Sequence, residues 1–255
     1  MQISITEVKL FKACRRAWWL RYREGLVPKA TAESLVIGRT YHEKLESLYK
    51  TGAFDADDLS RESAMATAYM KYIYPSFDVI ETEKWFEYVL NSLPGHVSLI
   101  GRVDGESAEA LVEHKTTSAE ITEEYEYSLQ WDEQLLAYMM ATGYRKAWYT
   151  ICRKPTIRQR KDESDEQYFE RMVTWYDEDT DRKIRLLQIE RTDQEICEFE
   201  RELCNIADEM RVAYIYRNPG NCMSYGKRCE YAPVCLNYDP DRDYIEFDRR
   251  PKHED

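Results

Sequence analysis

Apolar residues recur at helical spacing from the start of the chain. Val8, Phe11, Cys14 and Trp18 fall on one stripe, and Ser4 with Glu7 has the form of a capping box that opens a helix there. A second helical run over 31–49 places Leu35, Gly38, His42, Leu45 and Tyr49 on one face, and a third covers 59–73. The period then changes. Residues 85–90 read as a strand, and 99–116 as a β-hairpin, with Val97, Leu99, Val103 and then Leu111 and Val112 supplying strand-type residues. Gly105-Glu106-Ser107 supplies the turn, so Asp104 is expected to end the first strand. A helix follows through Thr142 with Gly143 as its stop. Next come a strand over 147–152, an amphipathic helix marked by Phe169, Met172, Val173 and Tyr176, and a strand over 183–191. Thr192 and Glu195 form a second capping box for a long helix with Ile196, Phe199, Leu203, Ile206, Met210 and Ala213 on its seam. Cys197 and Cys204 read as packing beside that seam. No internal repeat or clear linker interrupts the pattern, so the chain reads as one domain over 1–238 and a charged, loosely ordered tail over 239–255.

The hydrophobic content of 43% is enough for a sizeable core, and 20 Tyr and 6 Trp add surfaces that can stack on bases. The formal net charge of −12 argues against a general nucleic-acid coat protein while leaving room for a local basic groove. No apolar run reaches membrane-spanning length and the first residues lack the apolar core of a signal peptide, so no membrane partner and a cytoplasmic location are expected. Structural disulfides are then disfavoured, and the 7 cysteines point to metal ligation. Cys222, Cys229 and Cys235 stand in a Pro/Gly-rich stretch, NPGNCMSYGKRCEYAPVC, where loop is expected. They look like thiolate ligands of zinc or an iron–sulfur cluster with a fourth ligand from elsewhere. Cys14 taken alone reads more naturally as a core cysteine.

The hairpin carries the candidate chemistry. Glu113 and Lys115 are two apart on one strand and project from one face, and Asp104 comes to the same end. Paired carboxylates on rigid strands suit magnesium or manganese, which prefer oxygen ligands, and a lysine beside them can hold a water or screen a phosphate. The alternative is a solvated hairpin with a cross-strand salt bridge. His42 alone reads as a hydrogen-bonded core residue. Gln134 and Tyr138 share a helix face, with Trp131 close by. Two basic segments are candidate DNA contacts or solvated surface. One is Arg15, Arg16, Arg21 and Arg23 among Trp18, Trp19 and Tyr22. The other is the loop carrying Arg153, Lys154, Arg158, Arg160 and Lys161.

In order, the chain presents Cys14, Gly38-x-x-x-His42, Gly101-Arg102-Val103-Asp104, Glu113-His114-Lys115, Gln134-x-x-x-Tyr138 and the three late cysteines. This series resembles the PD-(D/E)XK nuclease superfamily over nearly its whole length. The resemblance is to the RecB/AddB-like branch, which carries a 4Fe–4S cluster and includes phage exonucleases and the CRISPR-associated spacer-acquisition nucleases. It implies an α/β, restriction-endonuclease-like fold: a central mixed sheet flanked by helices, with a cysteine-clasped C-terminal segment. It further implies His42, Asp104, Glu113 and the His114 carbonyl as ligands of Mg2+ or Mn2+. Lys115 would position the attacking water, and Gln134 and Tyr138 would steady the lysine or the scissile phosphate. Cys14, Cys222, Cys229 and Cys235 would hold the cluster, zinc being the less favoured metal. Two departures stand out: Val103 occupies the proline position, and the late cysteines are separated by six and five residues, wider than in many relatives. The implied function is a metal-dependent DNA nuclease, more exactly an exonuclease on single-stranded or end-containing DNA in repair, recombination or phage or CRISPR DNA processing. A helicase, recombinase or CRISPR integrase is the implied protein partner, in a bacterial cytoplasm or that of a phage host. The alternatives are a non-catalytic DNA-binding subunit of a nuclease–helicase complex and a zinc-clasped interaction module.

Overall fold

The computed structural model describes residues 1–29, 33–76, 78–90, 96–224, 226–236 and 247–250. In chain order its main elements are β1 (Gln2–Ser4), α1 (Ile5–Ala13), α2 (Arg15–Trp18), β2 (Leu26–Pro28), α3 (Glu33–Thr51), α4 (Arg61–Tyr72), β3 (Glu81–Val89), β4 (Ser98–Glu106) and β5 (Leu111–Thr117). There follow α5 (Glu123–Leu129), α6 (Glu133–Thr142), β6 (Lys146–Arg153), α7 (Asp165–Thr174), β7 (Ile184–Glu190) and α8 (Asp193–Val212). A short β8–β9 ribbon (Met223–Ser224, Lys227–Arg228), α9 (Ala232–Leu236) and β10 (Phe247–Arg249) complete the described chain. This is a mixed α/β fold with a central mixed sheet flanked by helices. Two units are distinguishable: a central one, Ala32–Phe86 with Arg102–Ile196, and a terminal one, Met1–Thr31 with Glu87–Gly101 and Cys197–Asp255. Among the described residues, no helix is long and apolar enough to cross a membrane.

In the central unit, β5 lies between β4 and β6. It pairs antiparallel with β4 (Gly105↔Val112, Glu106↔Leu111) and parallel with β6 from Leu111↔Ala147 to Thr117↔Arg153, and β7 pairs antiparallel with β6. β5 is covered on both faces, since the successive residues Leu111, Val112, Glu113 and His114 are all buried. The expected hairpin is therefore present, but its turn falls later than expected, at Ser107–Ala110, where Ser107 Oγ caps the Ala110 amide at 3.1 Å. Asp104 thus lies inside β4 and not at its end. The core packs Ile37, Tyr41, Leu45 and Leu48 of α3 against Met65, Ala66 and Tyr69 of α4 and against Cys152, Tyr176 and Ile184. Each buried Ile, Leu or Met among them contributes about 1.5–3 kcal/mol on burial.

The buried stripe of α3 differs from the expected face. Leu35 is 67% exposed, and Leu35, Gly38 and His42 line a cleft. α3 has apolar residues on two adjacent faces, so periodicity alone did not choose between them. The helix expected through Thr142 is two helices. α5 ends at Leu129, and Asp132 caps α6 by accepting the Gln134 amide at 3.0 Å. Gly143 ends α6 at φ +85°, as its position implied.

In the terminal unit, β1 runs parallel to the start of β4 (Gln2↔Ser98 to Ser4↔Ile100). Ser4 caps α1 by accepting the Glu7 amide at 3.2 Å. The helix does not continue through Cys14, which is extended at φ −159° and separates α1 from α2. Ala17, Leu20, Leu26, Tyr231, Val234 and Phe247 form a small core of their own. Part of the segment expected as a loose tail is ordered: β10 pairs antiparallel with β2 (Phe247↔Pro28, Arg249↔Leu26), and Phe247 is buried. On α8, whose capping box is formed (Thr192 amide to Glu195 Oε2, 2.8 Å; Glu195 amide to Thr192 Oγ1, 3.2 Å), Cys204 packs inward but Cys197 is exposed.

Candidate metal and catalytic site

A cleft of about 870 Å3 opens in the central unit, lined among others by Gly38, His42, Glu83, Arg102, Asp104, Thr116 and Lys154. Gly38 faces β5, where a Cβ would stand 3.4 Å from Thr116 Oγ1. One turn on, His42 faces Asp104, with Nδ1 3.5 Å from Oδ1. The other Asp104 oxygen accepts the backbone N–H of His114 at 2.8 Å, so β5 itself anchors the carboxylate. Burial works against the charged form of Asp104, but His42 and the His114 N–H outweigh it and hold the carboxyl well below its usual range. Burial likewise works against protonating His42, and the bond and charge of Asp104, with Glu113 and Glu83 adding, raise its pKa. Ligand atoms of His42, Glu83 and Asp104 all lie within 4.8 Å of one another, and among the described residues this is the one such group of three or more. An imidazole with two carboxylates is a donor set suited to a divalent cation, so the residues fit the metal that the hairpin chemistry implied.

Beside this trio is a network of donors and acceptors. Glu113 and Lys115 share a face of β5, as their spacing implied, and Lys115 Nζ donates to Glu113 Oε1 at 2.9 Å. Lys115 also contacts Asp132 Oδ2 at 3.2 Å and Gln134 Oε1 at 3.4 Å. Gln134 Nε2 donates to Glu113 Oε1 at 2.8 Å and to the Tyr138 hydroxyl at 3.0 Å. Burial and the charge of Asp104 push the Glu113 carboxyl well above the usual carboxylate range despite Lys115. Burial disfavours the Lys115 ammonium, but Glu113 and Asp132 hold its pKa above the ordinary value. Lys115 is therefore a cationic donor here and has no free pair with which to act as a base. The His114 side chain points to the opposite face of β5. There its Nδ1 meets Thr150 Oγ1 at 2.6 Å, its ring stacks on Tyr49 with Tyr69 edge-on, and burial pushes its pKa down to about 3. The ring also lies edge-on to His42, centroids 5.6 Å apart, so the His114 side chain packs behind that cleft residue.

Two residues, one in the network and one in the cleft, escaped the sequence reading. Asp132 binds Lys115 and accepts the Tyr149 hydroxyl at 2.7 Å while capping α6. The preference of Asp for helix N-caps was the available signal, masked by reading one continuous helix. Glu83 lies on β3, four residues longer at its start than expected, and nothing in its neighbourhood of the sequence distinguishes it.

The basic segments divide. Lys154 is buried at the cleft and Arg153 lies over the Trp175 ring, whereas Arg158, Arg160 and Lys161 are exposed. In the terminal unit Arg15 pairs with Glu209 at 2.7 Å, Arg16 lies over Trp19, and Arg21 pairs with Glu230 at 3.3 Å. In the same unit, Cys14, Cys222, Cys229 and Cys235 line one cavity of about 440 Å3. The Cys229 amide donates to the Cys222 carbonyl at 2.9 Å, and the Asn218 side-chain amide donates to the Ala13 carbonyl at 2.8 Å, which holds the late loop beside Cys14. All four are free thiols of intermediate exposure.

The sequence profile of the PD-(D/E)XK nuclease superfamily matches the chain over residues 2–76 and 58–236. No curated protein matches it in sequence. Among solved structures, SSO0001 matches with a TM-score of 0.53 at 16% identity, over 92% of this chain and 85% of that one. A protein from Eubacterium rectale described as a candidate exonuclease gives a TM-score of 0.53 at 10% identity, over 92% of this chain and 93% of that one. An alkaline exonuclease from Laribacter hongkongensis gives 0.38 at 15% identity, over 83% and 88% of the two chains. At these identities the two matches at 0.53 show a likeness of fold.

Proposed function

Because the chain belongs to the PD-(D/E)XK nuclease superfamily, we propose that it is a Mg2+- or Mn2+-dependent deoxyribonuclease, acting as an exonuclease on single-stranded or end-containing DNA. The observation that carries this reading is the pairing of His42 with Asp104 in the cleft, beside the network that joins Glu113, Lys115, Gln134 and Tyr138. Asp104 and His42 would hold the cation, with Glu113 and the His114 carbonyl completing the set that the family resemblance implies. When bound, the cation would lower the pKa of a water and offset charge on the leaving oxygen. Lys115, kept cationic by Glu113 and Asp132, orients that water by donating to it and screens the phosphate. Gln134 holds Glu113 in place from the other side, and Tyr138 orients Gln134. The expected products carry a 5′-phosphate and a free 3′-hydroxyl.

In the terminal unit, Cys14, Cys222, Cys229 and Cys235 would hold a 4Fe–4S cluster. Their shared cavity supports that reading. DNA delivery by a helicase, recombinase or CRISPR integrase in the cytoplasm belongs to the same reading. The test is incubation of the purified protein with end-labelled single- and double-stranded DNA, with Mg2+, Mn2+ or EDTA. Cation-dependent shortening from an end supports the proposal, and intact DNA under every cation refutes it.

A further inference from the structure

Glu83 belongs to no part of the family signature, and it is the third member of the one close group of ligand atoms found among the described residues. We propose that Glu83 is a side-chain ligand of the divalent cation, and that Arg102 is the resident cation which occupies Glu83 when the metal is absent. This rests on the nuclease reading of the same cleft and adds to it a ligand and an exchange.

Four observations support it. The Glu83 carboxylate lies within 4.8 Å of the ligand atoms of His42 and Asp104, so one ion could meet all three. Its backbone is in the left-handed region, φ +54°, in the middle of β3, a conformation uncommon for glutamate and typical of a bulge that re-aims a side chain. Its neighbour Lys84 is engaged elsewhere, at 3.1 Å from Glu81 and 2.9 Å from Glu106. The cation that does meet Glu83 is Arg102, whose Nε lies 2.6 Å from Oε2.

The two members of that pair differ in setting. The Glu83 side chain is 16% exposed and the Arg102 side chain 56%. A largely exposed arginine makes a weak, exchangeable ion pair, whereas the enclosed carboxylate stays where it is. Arg102 also stands two residues before Asp104 on β4 and shares its face. A dication arriving beside Asp104 and Glu83 makes the guanidinium charge redundant there. Once released, Arg102 still lines the cleft, where its planar donors suit a phosphate oxygen. Glu113 offers a contrast: one of its oxygens already accepts from both Lys115 and Gln134, a fixed arrangement with no exchangeable partner.

The test is Mn2+ binding to the DNA-free protein, read from the signal of free Mn2+ by electron paramagnetic resonance. Wild type, Glu83→Gln, Arg102→Gln and Asp104→Asn are compared, with circular dichroism melting as the check on folding. Glu83→Gln is expected to weaken Mn2+ affinity at least about tenfold, and Arg102→Gln to tighten it several-fold by removing the competitor. Glu83→Gln binding Mn2+ like wild type, while Asp104→Asn loses it, would overturn the ligand assignment. Unchanged or weaker binding by Arg102→Gln would overturn the exchange, and that variant remains informative even if Glu83→Gln does not fold. A wild-type protein that binds no Mn2+ would overturn the nuclease reading itself.

Discussion

The cleft of the central unit and the thiol cluster of the terminal unit keep their reactive groups in opposite ways. In the cleft each charged group has a partner inside the protein: Asp104 has His42 and the His114 amide, Glu113 has Lys115 and Gln134, and Lys115 has Asp132. Those partners sit on α3 and β5 and at the start of α6, and α3 packs into a large core. The thiols are free, lie in loops or at helix ends, and have a six-residue buried core beneath them. A site held by internal ion pairs and hydrogen bonds keeps its geometry without its metal. Four unpaired thiols on short elements depend on a ligand to bind them together. The cleft is thus expected to fail through chemistry and the cluster through stability.

The sharpest contrast comes from removing one group on each side. Asp104→Asn should lower DNA cleavage by at least about a hundredfold, with melting temperature within a few degrees of wild type. Cys14→Ser should release iron and the absorbance near 400 nm expected of thiolate-ligated clusters. It should also cost about 3–5 kcal/mol of stability, because the clasp closes a loop of about two hundred residues. A stable, colourless, zinc-loaded wild type would end the cluster reading and leave the cleft untouched.

A smaller effect probes how the cleft is held. Asp132→Asn removes the charge that helps keep Lys115 protonated and weakens the acceptor of the Tyr149 hydroxyl. Activity should fall about tenfold, with a loss of about 1–2 kcal/mol in stability. The pH dependence is a further check. His42 and Glu113 both bind their protons more tightly in the folded, ion-free protein than in the unfolded chain. Folding therefore takes up protons, and stability from these groups is present at low pH and lost as pH rises through their raised pKa values, about 7 for Glu113. Asp104, depressed, contributes in the opposite sense, losing stability only as pH falls below the usual carboxylate range. Saturating Mn2+ takes the place of those protons and should flatten the decline, measured as melting temperature against pH. The smallest effect is expected on the exposed part of the basic loop. Neutralising Arg158, Arg160 and Lys161 should reduce the salt slope of DNA binding by up to about three while leaving cleavage at saturation unchanged.

The same two regions mark what a sequence can disclose. The hairpin was legible because a period of two specifies a face, so Glu113 and Lys115 had to meet wherever the turn fell. The caps at Ser4, Thr192 and Gly143 were legible because those positions have strict local chemistry. What escaped depends on contacts distant in sequence. Glu83 reaches Asp104 only through the pairing of β3 with β4. The buried face of α3 is chosen by α4, not by its own pattern. Cys14 is extended where periodicity continued a helix, and the Asn218 amide bonds the last carbonyl of that helix from across the chain. Phe247, in a stretch dominated by charge, is buried by β2 and Tyr231.

The central claim is that Lys115, held cationic between Glu113 and Asp132, serves cation-dependent phosphodiester hydrolysis in this cleft. The direct measurement is the single-turnover cleavage rate of 5′-labelled single-stranded DNA at saturating Mg2+ for wild type and Lys115→Met, with DNA affinity measured alongside. The account predicts 5′-phosphate products from wild type and a rate at least about a hundredfold lower for Lys115→Met at similar affinity. Cleavage by Lys115→Met at the wild-type rate would contradict it.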